Sequence, residues 1–584
     1  MTVLNHAAAQ PADTWQARSV SLRRSALGAG GLAAGVLADV AIVLTVLAGR
    51  LAMVIWRPPS LTVDESAQFA ISRFLSGRGR WSLFDIPTWQ PGLGTLLAPI
   101  EALGADQHTL FRSALAVNCL FGGVAAALLG RLLARVTQCS PGRARCVAVV
   151  ISLLPASISG SAFVWGDAAV SAAFLAVVWL ALDVAEQPRL GSVLTLQGVA
   201  SLGYLFHDRM LPIAFVVTVG ALAAIWRRGL RQTVCVVSFA IASFGAVEAY
   251  TRWVTSNVWE HPSAQNSVRS TLGRAWPPQH VFHTLVGQTW YLAAGTLGIA
   301  IVGGNVILRS LWLSNARKPQ LTRQHAVVIC VLVTAMFATS VLFMSGRQGR
   351  ADFVIYGRYN DAVMPIVLGV GAATVLGLGA VSWGQVVRIC ATPVSVILLT
   401  TLWVGAFHGD ELRYGWLVFS MVPAVVAIAG GPSLEVFIIG LVALAGFGLL
   451  VASTRTRLAW LLPCLTAAIL LSVGNMRYYG PQMRGLDDRR GLPSVIAGFV
   501  PTGSTIGVRH YDASIELSDP VLQRSVQSYQ FWLSGYEFKS ADLDALPTYV
   551  LSLPDDVELR ERGGSIVWSN PYATFVVWQT PSSP

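Results

Sequence analysis

Charge is scarce in this chain. Of its 584 residues only 12% are Asp, Glu, Lys or Arg, about half the ~25% usual in soluble domains. That leaves too little polar surface to cover the several water-exposed domains this length would otherwise call for. Cysteine is scarce too: seven residues, at 119, 139, 146, 235, 330, 390 and 464, with no CxxC pair. Such spacing excludes a disulfide framework and a cysteine-type metal site. No Walker loop, no GxGxxG after a strand and no Ser/His/Asp set is present. What abounds is apolar: 54% hydrophobic residues and a mean hydropathy of +0.58. This is the composition of a polytopic membrane protein.

A membrane helix needs ~20 mostly apolar residues. Fourteen runs approach that length, among them 26–56, 146–165, 286–308, 362–384, 415–430 and 458–475. Several are short, and the set is read as about 13 transmembrane helices. The first run follows Arg18, Arg23 and Arg24, is too long for a signal-peptide core, and ends without a small-residue cleavage site, so it reads as a retained signal anchor. Arginines cluster after alternate runs, at 131, 135, 143 and 145, at 227, 228 and 231, and at 309, 317 and 323. The positive-inside bias then puts residues 1–25 in the cytosol and loops 57–109 and 255–285 on the outer face. Basic charge on cytosolic loops beside a bilayer implies no nucleic-acid partner.

Residues 478–584 differ in kind, with 8 Lys+Arg against 12 Asp+Glu, a net −4. Ser504–Tyr511, Thr548–Leu553, Ser565–Ser569 and Thr574–Gln579 alternate like short strands, and Val521–Leu533 has helical spacing. A small soluble α/β domain is expected there. Thirteen spans would carry it outside and fourteen would return it to the cytosol. An acidic tail is easily translocated, which favours the outside.

The sharpest motif is Val63-Asp64-Glu65-Ser66, just past the first run. Adjacent carboxylates at a membrane boundary are costly unless hydrated, paired or useful. One could act as general base, taking the proton of an acceptor hydroxyl as it attacks a sugar carbon. Equally, Thr62 or Asp64 could cap a helix whose dipole Glu65 complements. Ser66–Leu75 is amphipathic, like an interfacial helix, and Trp89-Gln90-Pro91-Gly92 precedes another apolar stretch.

This order of features resembles the GT-C superfamily of membrane glycosyltransferases, which use sugars linked to lipid phosphates. Their first outer loop carries an acidic pair, an amphipathic helix and an aromatic-Pro-Gly segment, and Arg50 also matches their pattern. Asp167, in Trp165-Gly166-Asp167, resembles an acidic residue of the protein mannosyltransferase and aminoarabinose-transferase branches, although as a helix cap it needs no function. His207-Asp208-Arg209 resembles the family's arginine turn toward a lipid phosphate, and Gly357-Arg358-Tyr359 its segment entering a late helix. An arginine fork suits a phosphate, whereas a surface arginine also snorkels to headgroups. His280 and His283 have metal-ligand spacing without an acidic neighbour in sequence, and solvated or headgroup-facing histidines explain them better. Asp39, Asp183, Glu248 and Glu435 in apolar runs are explained by buried pairing or snorkelling at helix ends.

The tail segment Gln527–Leu533 resembles the extracytoplasmic domain of actinobacterial arabinofuranosyltransferases, so the likeness extends beyond residues 26–380. It implies an α-helical polytopic membrane protein of GT-C-like fold over 26–477, with the α/β domain 478–584 in the periplasm. It further implies an inverting transfer on the outer side of the plasma membrane, from a polyprenyl-phosphate donor to an envelope glycan or glycolipid. Arabinofuranose is the first choice of sugar, with mannose or another hexose next. Asp64, Glu65 and Asp167 would be catalytic. Arg209, Arg358 and His207 would hold the donor phosphate, and Trp89, Gln90, Tyr356 and Tyr359 would line the groove. No cofactor is required, though some branches place a divalent cation near the phosphate. A transporter or flippase of polyprenyl-linked glycans would use the same helices and arginines without a base.

Overall fold

The structure is a computed structural model. It describes residues 29–55, 57, 61, 63–81, 90–137, 139–258, 277–312, 321–345, 357–377, 383–407, 432–452, 496, 498–509, 526, 529–533, 535–541, 546–569 and 576–581. Trp89, Tyr356 and the runs 415–430 and 458–475 lie outside them, as do the side chains of Asp64 and Arg358.

Helices dominate. In chain order they are α1 (Ala29–Val54), α2 (Val63–Leu75), α3 (Gly92–Ala102), α4 (Gln107–Val136), α5 (Pro141–Ser152), α6 (Pro155–Ala162), α7 (Asp167–Glu186), α8 (Leu190–Phe206), α9 (Met210–Ile225), α10 (Leu230–Val258), α11 (Pro278–Gly295), α12 (Ile299–Trp312), α13 (Arg323–Ser345), α14 (Met364–Gly377), α15 (Trp383–Phe407) and α16 (Pro432–Ala452). Among the described residues, seven helices are long and apolar enough to span a bilayer, or nine if each of two bent pairs is one span. This is the α-helical, multi-pass membrane architecture expected from the composition.

Two of the apolar runs are not straight helices. The run 146–165 is broken between α5 and α6, which meet at 58°. Pro155 starts α6 and cannot donate to the turn before it. The run 286–308 is broken between α11 and α12, which meet at 112°. There Leu297 (φ 51°) and Gly298 (φ 75°) both take the left-handed region that reverses the chain. Past this break α12 crosses α14 so closely that a Cβ on Gly303 would stand 1.9 Å from the Val367 carbonyl, and one on Gly371 1.9 Å from that of Ile299. Gly371, and Gly369 against Leu133, thus serve helix packing.

The polar ends sort by face. At one face Arg131 (2.5 Å) and Arg145 (3.2 Å) bind Asp39, and Arg135 binds Asp183 (2.7 Å) and Glu186 (3.0 Å). His325 reaches Glu186 at 2.8 Å. Asp39 and Asp183, acids within apolar runs, are therefore paired. The other face carries α2 and α3. Helices α15 and α16 run antiparallel, with Gly405 against Phe437 and Gly440 against Thr401.

The C-terminal sheet has the order β2-β1-β3-β5-β4, with β1 Thr505–Val508, β2 Glu537–Ser540, β3 Tyr549–Ser552, β4 Ser565–Ser569 and β5 Val576–Gln579. Strand β1 pairs parallel with β2 and β3, and β5 pairs antiparallel with β3 and β4. Strand β2, whose charged EFKS sequence hides a short edge strand, has no counterpart in the sequence reading. On one helical turn, Tyr529 and Leu533 face the sheet core. Phe531 and Trp532 face the bundle instead: Phe531 packs tilted against Phe69 of α2, ring centres 4.3 Å apart, and Trp532 against His108 of α4 at 4.8 Å. The sheet domain thus sits on the face that carries α2 and α3.

Candidate active site

The first loop is held by a buried ion pair. Glu65, in the first turn of α2, has no exposed surface, and both its oxygens accept from Arg57, at 2.6 and 2.7 Å. Glu65 also accepts the Val164 amide at 2.8 Å, and Arg57 donates to the Ala162 carbonyl at 2.6 Å. The Arg57 guanidinium lies 4.5 Å from the ring centre of Phe163 and 5.3 Å from that of Phe111. A forked guanidinium matches a carboxylate in two bonds and stacks on aromatic faces at once. The clamp therefore welds the start of α2, with Asp64 in the same turn, to the end of α6. Arg57 had not stood out in the sequence. Its one signal was an arginine eight residues before an acid, at the end of an apolar run.

A second group forms where α7, the 207–209 turn and the short 3-10 turn Gly357–Asn360 converge. Asp167 is buried at the start of α7 and pairs with Arg209, which is 1% exposed. The Arg209 guanidinium also lies 4.4 Å from the ring centre of buried Tyr359. His207 stands edge-on to the same ring at 6.0 Å, and its Nδ1 accepts the Arg209 amide at 3.2 Å. Gly166 permits this convergence, since a Cβ there would stand 2.4 Å from the Phe206 carbonyl.

Gln90 ties the first loop to this group. Its amide nitrogen donates to Asp208, and its oxygen accepts from Thr251 at 3.1 Å. The 3-10 turn is anchored from α11: Asn360 donates to Gln288 at 3.2 Å, and Tyr291 donates to Asp361 at 2.9 Å. Gly357 passes so close to the Tyr291 ring that a Cβ would fall 1.8 Å from it. The backbone of Arg358 is thus set beside Tyr359, whereas the placement of Trp89 and Tyr356 falls outside the described residues. His280 and His283 lie in the first turns of α11, where His283 is 5.6 Å from the Trp403 ring. Among the described residues no group of three or more His, Cys, Asp or Glu is placed to hold a metal ion.

Below these turns lies a cleft of about 630 Å³ including its open mouth, lined among others by Arg50, Ser159, Trp165, Asp167, Ser171 and Asp361. Arg50 is 5% exposed and donates to the Ser152 carbonyl at 3.0 Å and to the Ser161 hydroxyl at 2.6 Å. The break between α5 and α6 therefore supplies a polar wall at membrane depth, as non-helical backbone there requires.

No protein-family model matches the chain, and no curated protein matches it. Solved structures do. ArnT from Cupriavidus metallidurans bound to undecaprenyl phosphate aligns with a TM-score of 0.51 at 16% identity, over 94% of this chain and 98% of ArnT. The same protein in the apo state aligns at 0.52 and 14% identity, over 92% and 97%. At such identity the likeness speaks for architecture. The chain has an ArnT-like, GT-C-like fold: a multi-pass helical membrane bundle carrying a small C-terminal α/β domain.

Proposed function

We propose that the protein is an inverting glycosyltransferase that moves a sugar from a polyprenyl-phosphate donor to a cell-envelope glycan or glycolipid on the extracytoplasmic side of the plasma membrane. The observation that carries this reading is the convergence on one face of the clamped start of α2 and the Asp167–Arg209–Tyr359 group, above a cleft whose wall includes Arg50, Asp167 and Asp361. The fold likeness to ArnT, whose structure contains undecaprenyl phosphate, supports a lipid phosphate as partner.

In this reading Asp64 takes the proton of the acceptor hydroxyl as its oxygen attacks the anomeric carbon and the phosphate leaves with the bonding pair. Glu65, spent on Arg57, positions Asp64. Arg358 stabilises charge on the departing phosphate. Arg209 and His207, turned onto Asp167 and Tyr359, hold the phosphate-facing turn in place, and Asp167 keeps Arg209 fixed. Gln90, Trp89, Tyr356 and Tyr359 line the groove. Arabinofuranose is the first candidate sugar, with mannose or another hexose as the alternative. A divalent cation, if the reaction uses one, would belong beside the phosphate. The α/β domain 478–584 would lie in the periplasm and cover the cleft or dock the acceptor.

The test is transfer of radiolabel from a panel of polyprenyl-phosphate sugars to an envelope acceptor by purified protein. Transfer from one donor that Asp64→Asn abolishes, with expression and melting temperature intact, is the expected result; near-wild-type turnover of that variant removes Asp64 as base. The two broken helices suit a second reading, since transporters build substrate sites from interrupted helices. Binding of polyprenyl phosphate with no transfer from any donor would favour it.

A further inference from the structure

Two adjacent rings of the sheet domain meet the two halves of the Arg57–Glu65 clamp. The amphipathic segment 66–75 reads as an interfacial helix, with one face open to headgroups. In the structure α2 is instead buried from Glu65 through Ser72. Glu65 and Phe69 are four residues apart, so they stand one above the other on the same face of α2. Phe531 packs against Phe69 with ring centres 4.3 Å apart and meets Trp81 edge-on at 6.5 Å. It is buried in the apolar cluster of the first loop and not in the sheet core. Trp532 reaches the other half. Its ring centre lies 6.2 Å from that of Phe111, and Phe111 is one of the two rings flanking the Arg57 guanidinium. Phe111 and Phe69 are themselves 6.4 Å apart. A continuous aromatic wall therefore runs from the sheet domain to both partners of the ion pair.

The rings are anchored from behind. Tyr529 and Leu533, on the same helical turn, are buried in the sheet core, and the Tyr536 hydroxyl just past it donates to the Val500 carbonyl at 2.8 Å. Close-packed interiors transmit displacement, because they hold little free space to absorb it. Asp64 belongs to the same first turn of α2 as Glu65, so a tilt of that turn moves the backbone of both. Reaction rates respond on this scale: about 1 Å of misplacement costs ~10²-fold. We infer that Phe531 and Trp532 are positioning residues for the transfer, acting through Phe69, Phe111 and the Arg57–Glu65 clamp on the turn that carries Asp64. What that turn does rests on the transferase reading above, whereas the seat that holds it rests on the packing. The sheet domain is then part of the frame of the active site, beyond any role as a cover or a docking module.

The experiment uses the full chain in detergent and has two readouts. One is kcat and donor KM for transfer of label from a polyprenyl-phosphate sugar. The other needs no transfer: the rate at which a small thiol reagent labels an Asp64→Cys variant in a background lacking the native cysteines. Phe531→Ala should lower kcat about tenfold with donor KM within about twofold, and change the labelling rate at least about threefold. Trp532→Leu, a milder change at a half-buried side chain, should move both readouts in the same direction. The control is Val577→Ala, which opens a cavity in the sheet core on β5 and leaves both rings in place. It should lower the melting temperature yet keep kcat and labelling within about twofold of wild type. Equal loss of turnover in Val577→Ala and Phe531→Ala would reduce the effect to stability and overturn the proposal. Unchanged kcat and labelling in Trp532→Leu and Phe531→Ala would overturn it too, and Trp532→Leu decides alone where Phe531→Ala does not fold. Absence of transfer from any donor by the wild type would bring down the transferase reading, and the labelling rates would then confirm or overturn the seat by themselves.

Discussion

Glu65 and Asp64 are neighbours in sequence with the same chemistry, and Glu65 is spent on structure. Two oxygens bound to Arg57 and an amide from Val164 use up the Glu65 carboxylate. Removing one partner of a buried pair leaves an uncompensated charge, which costs about 3–5 kcal/mol. Glu65→Gln should therefore lower the melting temperature of the detergent-purified protein sharply. The double variant Arg57→Met with Glu65→Leu should recover much of the loss, because an apolar pair of similar bulk replaces a desolvated ion pair at little cost. A drop in transfer activity without a drop in stability would make Glu65 a catalytic group rather than a positioning one. The acidic pair was legible in the sequence as a motif. That Glu65 is spent was not, because the partner Arg57 and the Val164 amide come from two further segments.

At the scale of elements, α2 and α3 pack against each other on the loop face. They are joined by Gln68, whose side chain accepts the Gly94 amide at 2.9 Å, and by Ser72, which donates to Glu101 at 2.5 Å. Burial pushes the Glu101 carboxyl above its ordinary 4.5, against the opposing pull of Ser72, Arg73 and Arg78. A carboxyl raised in the folded state favours folding below its unfolded value, and that contribution is lost as pH climbs through the raised value. Glu101→Gln, which keeps the contact with Ser72, should thus match the wild type in stability at pH 4 and exceed it at pH 7. A melting curve against pH reads this directly, and a variant less stable at pH 7 would show the arginines outweighing burial. The apolar runs announced most of the helices, since ~20 apolar residues are needed to cross a bilayer. The breaks at Pro155 and at Leu297-Gly298 were not legible, because a hydropathy count sees side chains and is blind to backbone dihedrals.

For the molecule as a whole, the docking of Phe531 and Trp532 on α2 and α4 places the sheet domain on the loop face. Cysteines introduced at exposed Arg80 and Asp555, in a background lacking the native cysteines, should both react with a membrane-impermeant thiol reagent added outside intact cells. Reaction of one without the other would break the shared-face topology, and reaction of neither would reverse the side. Composition alone determined that this is a membrane protein, because 12% charge cannot solvate 584 residues in separate soluble domains. Composition also set the acidic tail apart, and short motifs marked the turns at 64–65, 207–209 and 357–359. Only the tertiary structure decided which of these charges cancel: Asp167 against Arg209, Glu65 against Arg57, and Arg50 against no described carboxylate. Pairing depends on approach in space between helices that lie up to about a hundred residues apart, at a depth where water cannot screen the choice.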